Sequence, residues 1–171
     1  PYDAFVKKYS EKYNFDWRLM VAQMHQESHF DPNARSFAGA HGLFQIMPRT
    51  AKQMNLENIE DPETAIHAGI KYMDWVRERM TYIQPEEGQL IWFTLAAYNA
   101  GAGHVRDAVS LARKKGWNPH RWFGHVERAM LLLSKAEYAK KARYGYVRGH
   151  EPVQYVHAIK NRFDTFQYLV E

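Results

Sequence analysis

The sequence predicts an all-α domain, on three observations. Apolar residues recur at helical spacing through most of the chain, helix start and stop signals bound those stretches, and no segment sustains the two-residue alternation of a half-buried strand. With 171 residues and 46% hydrophobic content, the chain suits one domain with a substantial core and is short for two.

Tyr2 to Tyr13 places Tyr2, Phe5, Val6, Tyr9 and Tyr13 on one helical face, with Lys and Glu between them. Asn14 and Phe15 break this pattern, and Asp16 is positioned to cap a second helix that ends at Glu27, closed by Asp31-Pro32. From there to Pro48 the chain is rich in turn residues and reads as a structured loop with one short strand at 43–47. Pro48 suits the first turn of a helix through Met54. Asp61-Pro62-Glu63-Thr64 is a strong helix start, and Ile66, Ile70, Met73, Val76 and Met80 face inward along a helix running to about Ile83. The almost wholly apolar stretch between Gly88 and Asn99 predicts a central buried helix. Val105 to Lys115 is amphipathic and stops at Gly116. Trp117 to Gly124 is irregular, and helices follow over 125–133 and 134–146, the latter opened by a capping box of Ser134 and Glu137. A last helix over 152–168 turns Val153, Val156, Ile159 and Phe163 inward.

Composition narrows the function classes. The net charge of +4 favours polyanionic partners without choosing among nucleic acid, membrane surface and cell-wall polymer. Aromatics at 15% supply flat faces suited to lining a groove as well as a core. The absence of cysteine excludes disulfides, zinc thiolates and cysteine nucleophiles. The longest apolar run, Leu90 to Tyr98, is far short of the ~20 residues that span a bilayer, so no transmembrane segment is expected. The chain opens at Pro1 with neither an initiator methionine nor a basic-then-apolar leader, so it reads as residues 1–171 of a single domain excised from a longer chain.

The stretch from Gln23 to Pro48 carries the chemistry. Trp17, Met20 and Met24 precede Glu27 at helical spacing, which puts its carboxylate in the next slot of an apolar stripe. Burying an unpaired carboxylate raises its pKa, and a carboxylic acid protonated near neutrality is what a general acid must be. The plain alternative is a helix that is already ending, with Glu27 swinging into water. His25 and His29 flank Glu27 at i and i+4, but Glu27 lies about 200° around the helix from His25, unlike the glutamate of zinc peptidases, and no third ligand is evident. No metal or other cofactor is therefore expected. A serine nucleophile elbow and a phosphate loop are both missing, and the basic residues are too scattered for a DNA-recognition helix, so no nucleic-acid partner is expected. Two-carboxylate glycosidases place a second acid about 5 to 9 Å away, and a glycosidase with one carboxylate must recruit its substrate's N-acetyl group.

ESHF at 27–30, GLFQIMP at 42–48 and AYNAG at 97–101, in that order, resemble the signature of family 1 lytic transglycosylases. The resemblance extends from about Asp16 to Phe163 and includes YGYVRGHE followed by Gln154-Tyr155-Val156, which look most like a membrane-bound type. It implies a goose-lysozyme-like, all-α fold with a groove that takes peptidoglycan glycan strands. It also implies a longer chain with an amino-terminal regulatory solute-binding-like domain, attached to the outer membrane and facing the periplasm. Matched residue by residue, Glu27 falls on the family's single catalytic acid/base. Ser28, Ser36, Gln45, Met47, Tyr98, Asn99 and Tyr155 fall on substrate-binding positions. Phe44 stands where Met is commoner, a departure expected to alter the subsite beside the acid.

The implied reaction cleaves the β-1,4 bond between N-acetylmuramic acid and N-acetylglucosamine without water, leaving 1,6-anhydromuramoyl ends. The runner-up is a lysozyme that hydrolyses the same bond, with Glu151 as the one base not otherwise accounted for, and third is a wall-binding module with a silent site.

Overall fold

The computed structural model describes residues 1–170, and among them helices are joined by turns with no strand. The order is α1 (Asp3–Lys12), α2 (Trp17–Ser28), α3 (Pro48–Gln53), α4 (Pro62–Met80) with a 3-10 turn at Thr81–Ile83, α5 (Leu90–Ala100), α6 (Ala102–Lys114), a kinked turn at Trp122–Val126, α7 (Glu127–Leu132), α8 (Ala136–Ala139) and α9 (His150–Leu169). The chain divides into two compact units. Unit 1 is Pro1–Asp74 with Ala158–Glu171, and unit 2 is Trp75–His157, so the division falls inside α4 and inside α9.

Unit 1 is held by caps and cross-links that the sequence encodes in short patterns. The Asp16 carboxylate accepts the Arg18 N–H at 2.9 Å, fixing the start of α2. Arg18 in turn donates to the Val170 carbonyl at 2.9 Å, which ties the end of α9 to the same point. Asp61 accepts both the N–H and the hydroxyl of Thr64 at 3.0 Å, so the predicted start of α4 forms. Glu63, in the first turn of α4, accepts from Lys8 and the Tyr9 hydroxyl at 2.9 and 2.8 Å, linking α1 to α4. Lys71 donates to the Met54 carbonyl at 2.7 Å, just past the end of α3. Val6, Met20, Met24, Leu43, Phe44, Ile66, Ile70 and Met73 are all buried, matching the predicted stripes of α2 and α4.

Unit 2 is built around α5, whose Trp92, Phe93, Leu95 and Ala96 are buried, as an all-round apolar helix requires. Trp122 is fully buried and meets Phe93 edge-on at 5.8 Å. The turn carrying it follows a carboxylate hub at Glu86, which accepts from Asn118 at 2.6 Å and from Arg121 at 2.8 and 3.0 Å.

Four expectations need correction. The strand over 43–47 does not form: Arg35, His41 and Ile46 make only isolated bridges, and Gln45 takes φ 51°, which no strand residue adopts. The helix over 134–146 shrinks to Ala136–Ala139 with Lys135 at its cap, because the Ser134 hydroxyl turns back to the Leu131 carbonyl at 2.8 Å. α6 begins at Ala102, three residues before Val105. Phe163 is half-buried, less enclosed than Val156 and Ile159 on the same helix.

Candidate active site

Glu27 lies on the last turn of α2, half-buried, where the helix leaves a buried stripe of Met20 and Met24. The helix ends by a left-handed residue, His29, with φ 51° and its N–H on the His25 carbonyl at 2.8 Å. Phe30 repeats the left-handed conformation at φ 65°. Two consecutive non-glycine residues of this kind cost roughly 1–3 kcal/mol each, strain of the sort that gathers at functional sites. Asp31 then accepts the Asn33 N–H at 2.9 Å and closes the turn, which agrees with its reading as a helix stop.

The neighbour of Glu27 fixes the acid to the next loop. Ser28 is only 6% exposed, and its hydroxyl lies 2.9 Å from the Leu43 carbonyl and 3.1 Å from the Met24 carbonyl. Its side chain is therefore a clip between the end of α2 and the GLFQIMP segment. That segment is a tight loop. His41 and Ile46 exchange backbone bonds at 2.9 and 3.1 Å, and the Gly42 N–H reaches the Ala34 carbonyl at 2.8 Å. The Gln45 amide nitrogen donates to the Ala34 and Gly42 carbonyls at 3.0 and 2.9 Å, bracing the loop from within. Ser36 is exposed, and its hydroxyl accepts the Ala40 N–H at 2.9 Å. Met47 is 40% exposed.

Phe44 overturns one expectation. Its side chain is fully buried against Gly69 of α4, where a β-carbon would lie 2.4 Å from the Phe44 ring. The Met-to-Phe departure is thus an adjustment between loop and helix core, and it does not line a subsite.

Unit 1 therefore gathers Glu27, Ser28, Ser36, Gln45 and Met47 on one helix end and the loop clipped to it. Tyr98, Asn99 and Tyr155 belong to unit 2. Tyr98 is half-buried and Asn99 exposed at the end of α5, where Gly101 at φ 96° stops the helix. Tyr155 is 5% exposed on α9. Glu151 is exposed at the start of α9 and lies 3.8 Å from Arg148.

The structure also adds residues that the sequence reading passed over. A polar pocket of about 230 Å³ opens beside the loop, lined by Pro32, Asn33, Arg35, His41, Ile59 and Glu60. Arg35 and His41 meet there at 3.1 Å. Only the cross-loop pairing of these two positions reveals them, since neither belongs to a motif. His25 and His29 pack edge-on at 4.6 Å, and burial, then Arg162 and His29, hold the His25 imidazole below its ordinary pKa. Among the described residues no three His, Cys, Asp or Glu side chains group closely enough to hold a metal.

The chain is similar to known proteins in sequence and in fold. The Transglycosylase SLT domain profile matches residues 4–120. The chain is 44% identical over 168 residues to the membrane-bound lytic murein transglycosylase F of Shewanella pealeana, covering 98% of this chain and 34% of that protein. It is 37% identical over 170 residues to the protein of the same name from Pseudomonas fluorescens, covering 99% of this chain and 35% of that protein. The chain thus spans about a third of the length of the curated relatives it matches. The 70 kDa soluble lytic transglycosylase SLT70 of Escherichia coli superposes with a TM-score of 0.67 and 24% identity, over 98% of this chain and 24% of that one. That likeness shows the expected lysozyme-like helical fold. An inactive mutant of the lytic transglycosylase Slt of Pseudomonas aeruginosa, with glutamate replaced by glutamine, superposes with a TM-score of 0.56 and 25% identity, over 83% of this chain and 24% of that one. With a family profile covering more than half its length, this chain belongs to the Transglycosylase SLT domain family.

Proposed function

We propose that these residues form the catalytic domain of a peptidoglycan lytic transglycosylase in which Glu27 acts first as acid and then as base. The observation that carries the reading is the placement of Glu27 at the end of a buried stripe, one residue before the Ser28 clip to the GLFQIMP loop.

Glu27 gives its proton to the glycosidic oxygen between N-acetylmuramic acid and N-acetylglucosamine, and the bond from C1 to that oxygen breaks. The neighbouring acetamido group stabilises the cationic C1. The resulting Glu27 carboxylate takes the proton of the muramoyl O6, which attacks C1 and closes a 1,6-anhydro ring, so the acid is restored and no water is consumed. Ser36, Asn99 and the remaining amide oxygen of Gln45 supply hydrogen bonds for N-acetylated sugar. Met47 and Tyr98 supply apolar faces, Tyr155 is a further substrate-binding residue, and Ser28 acts through the loop it holds. The inactive glutamate-to-glutamine mutant of the Pseudomonas aeruginosa protein supports one indispensable glutamate in this family.

The substrate is the glycan strand of peptidoglycan, and the working location is the periplasm. There a longer chain with an amino-terminal solute-binding-like domain is attached to the outer membrane. No helix described here is long and apolar enough to cross a membrane. Digestion of purified sacculi tests the reading: mass spectrometry should find muropeptides lighter by one water than hydrolytic products, with no new reducing ends. Predominantly reducing muramic acid ends would replace this reading with a hydrolase and make Glu151 the first base to test.

A further inference from the structure

Unit 2 contains a cationic cleft that the proposed reaction does not use. One wall is α6 and the other is the segment 138–144, and three contacts fix them together. The two carboxylate oxygens of Asp107 accept the N–H groups of Arg143 and Tyr144 at 3.2 and 2.8 Å. Gly103 admits the Tyr144 ring so closely that a β-carbon there would lie 2.6 Å from it. Lys115 donates to the Tyr138 hydroxyl at 2.8 Å. A cleft braced in this way needs little reorganisation to take a ligand.

Two adjoining pockets of about 390 Å³ each share Arg143 and Asp107. The first sets Lys114, Lys141 and Arg143 beside Leu111, Leu133 and Tyr138. The second sets Arg106 and Arg113 beside the same Arg143, with the Arg106 guanidinium 4.5 Å from the Tyr82 ring. None of these five cations makes an ion pair among the described residues, and the only acid in the lining has both oxygens engaged by main-chain amides. Three cations against one acid in each pocket leave a positive field, and in the first pocket it stands over a mainly apolar floor.

We infer that this cleft binds the free carboxylate of a short peptide with small aliphatic side chains. The cations match a carboxylate, and Leu111 and Leu133 match an adjoining methyl-sized group, which a bare phosphate or sulfate lacks. The pockets fall within the size range of small-ligand sites and are larger than one bare anion requires. Murein strands carry short peptides with free carboxylates, so the inference rests on the proposed function for the source of the peptide, though not for the binding itself.

Calorimetric titration of the chain with N-acetyl-alanyl-alanine as the free acid, as its carboxyl-terminal amide, and with inorganic phosphate as competitor tests this directly. The free acid should bind, and the amide should bind at least about tenfold more weakly, the scale of a lost charge-assisted hydrogen bond. The double variant Lys141→Gln/Arg143→Gln should lose affinity by about tenfold or more while its melting temperature stays unchanged, because both side chains are exposed. No binding of the free acid, equal binding of acid and amide, an unaffected double variant, or displacement by phosphate as readily as by the peptide would each overturn the inference. The titration requires no turnover, so a failure to digest sacculi at all would remove murein as the source and leave the peptide site standing.

Discussion

The Ser28 hydroxyl stands 2.9 Å from the Leu43 carbonyl, so one buried side chain holds the helix that carries Glu27 against the loop that carries Gln45 and Met47. Replacing it by alanine leaves that carbonyl without its donor. Ser28→Ala should lower stability by about 1–2 kcal/mol, the scale of a buried hydrogen bond, read from urea unfolding. It should also lower kcat more than it raises KM, since the acid is displaced more than the sugar contacts. Wild-type values for both would show that the clip positions nothing.

Glu27→Gln keeps the shape of the side chain and removes its proton. The expected result is a loss of at least about 100-fold in turnover of sacculi, with the melting temperature and glycan binding retained. Residual activity above about one hundredth of wild type would remove Glu27 as the sole acid.

Gly69→Ala opposes two effects. Alanine gains about 1 kcal/mol of helix propensity over glycine, while the new β-carbon meets a fully buried Phe44 ring at 2.4 Å. Overpacking of a closed core costs about 1–3 kcal/mol and should win. Adding Phe44→Leu should recover stability, so a double-mutant cycle should give a favourable coupling between positions 44 and 69. Additive effects would mean that the two residues do not press on each other.

His67 stacks on Tyr9 at 4.3 Å and shares a hydrogen bond with the Tyr13 hydroxyl at 2.8 Å. Burial, then Lys12, Lys71 and Lys8, hold its pKa below the ordinary 6.5, and His25 is shifted the same way. Above that value neither state takes up a proton, and the stability is fully present. As pH falls below it, the unfolded chain binds protons that the folded chain refuses, and stability declines toward the lower folded pKa. Urea midpoints at about pH 7.5 and about pH 5.5 should therefore drop for the wild type and drop less for His67→Gln. A wild-type midpoint indifferent to pH would refute this.

Much of the helical order was legible because it rests on local chemistry. Asp16 and Asp61 cap as their sequences promise, and Met20, Met24, Ile66, Ile70 and Met73 face inward as their spacing requires. The site loop was less legible. Leu43, Phe44 and Ile46 look like strand residues, yet they are buried by a turn whose braces, Gln45 to Ala34 and Ser28 to Leu43, span 11 and 15 residues. The helix expected through Tyr146 failed for a similar reason. Asp107 takes the N–H groups of Arg143 and Tyr144 from 36 and 37 residues away, a competitor that no local pattern reveals. The stripe that ends at Glu27 is written in local spacing, whereas the clipping role of Ser28 depends on a partner in another segment.

The division of the chain also sets an order of assembly. Unit 2 is one continuous stretch, Trp75–His157, whereas unit 1 draws on both sides of it, and its Arg18 grips the Val170 carbonyl at 2.9 Å. A ribosome adds the residues in sequence, so every residue of unit 2 has been joined to the chain before the second half of α9 exists. The helix bearing Glu27 is translated early and anchored late. A truncation directly after His157 leaves unit 2 with its full set of residues and strips unit 1 of the strut that Arg18 holds.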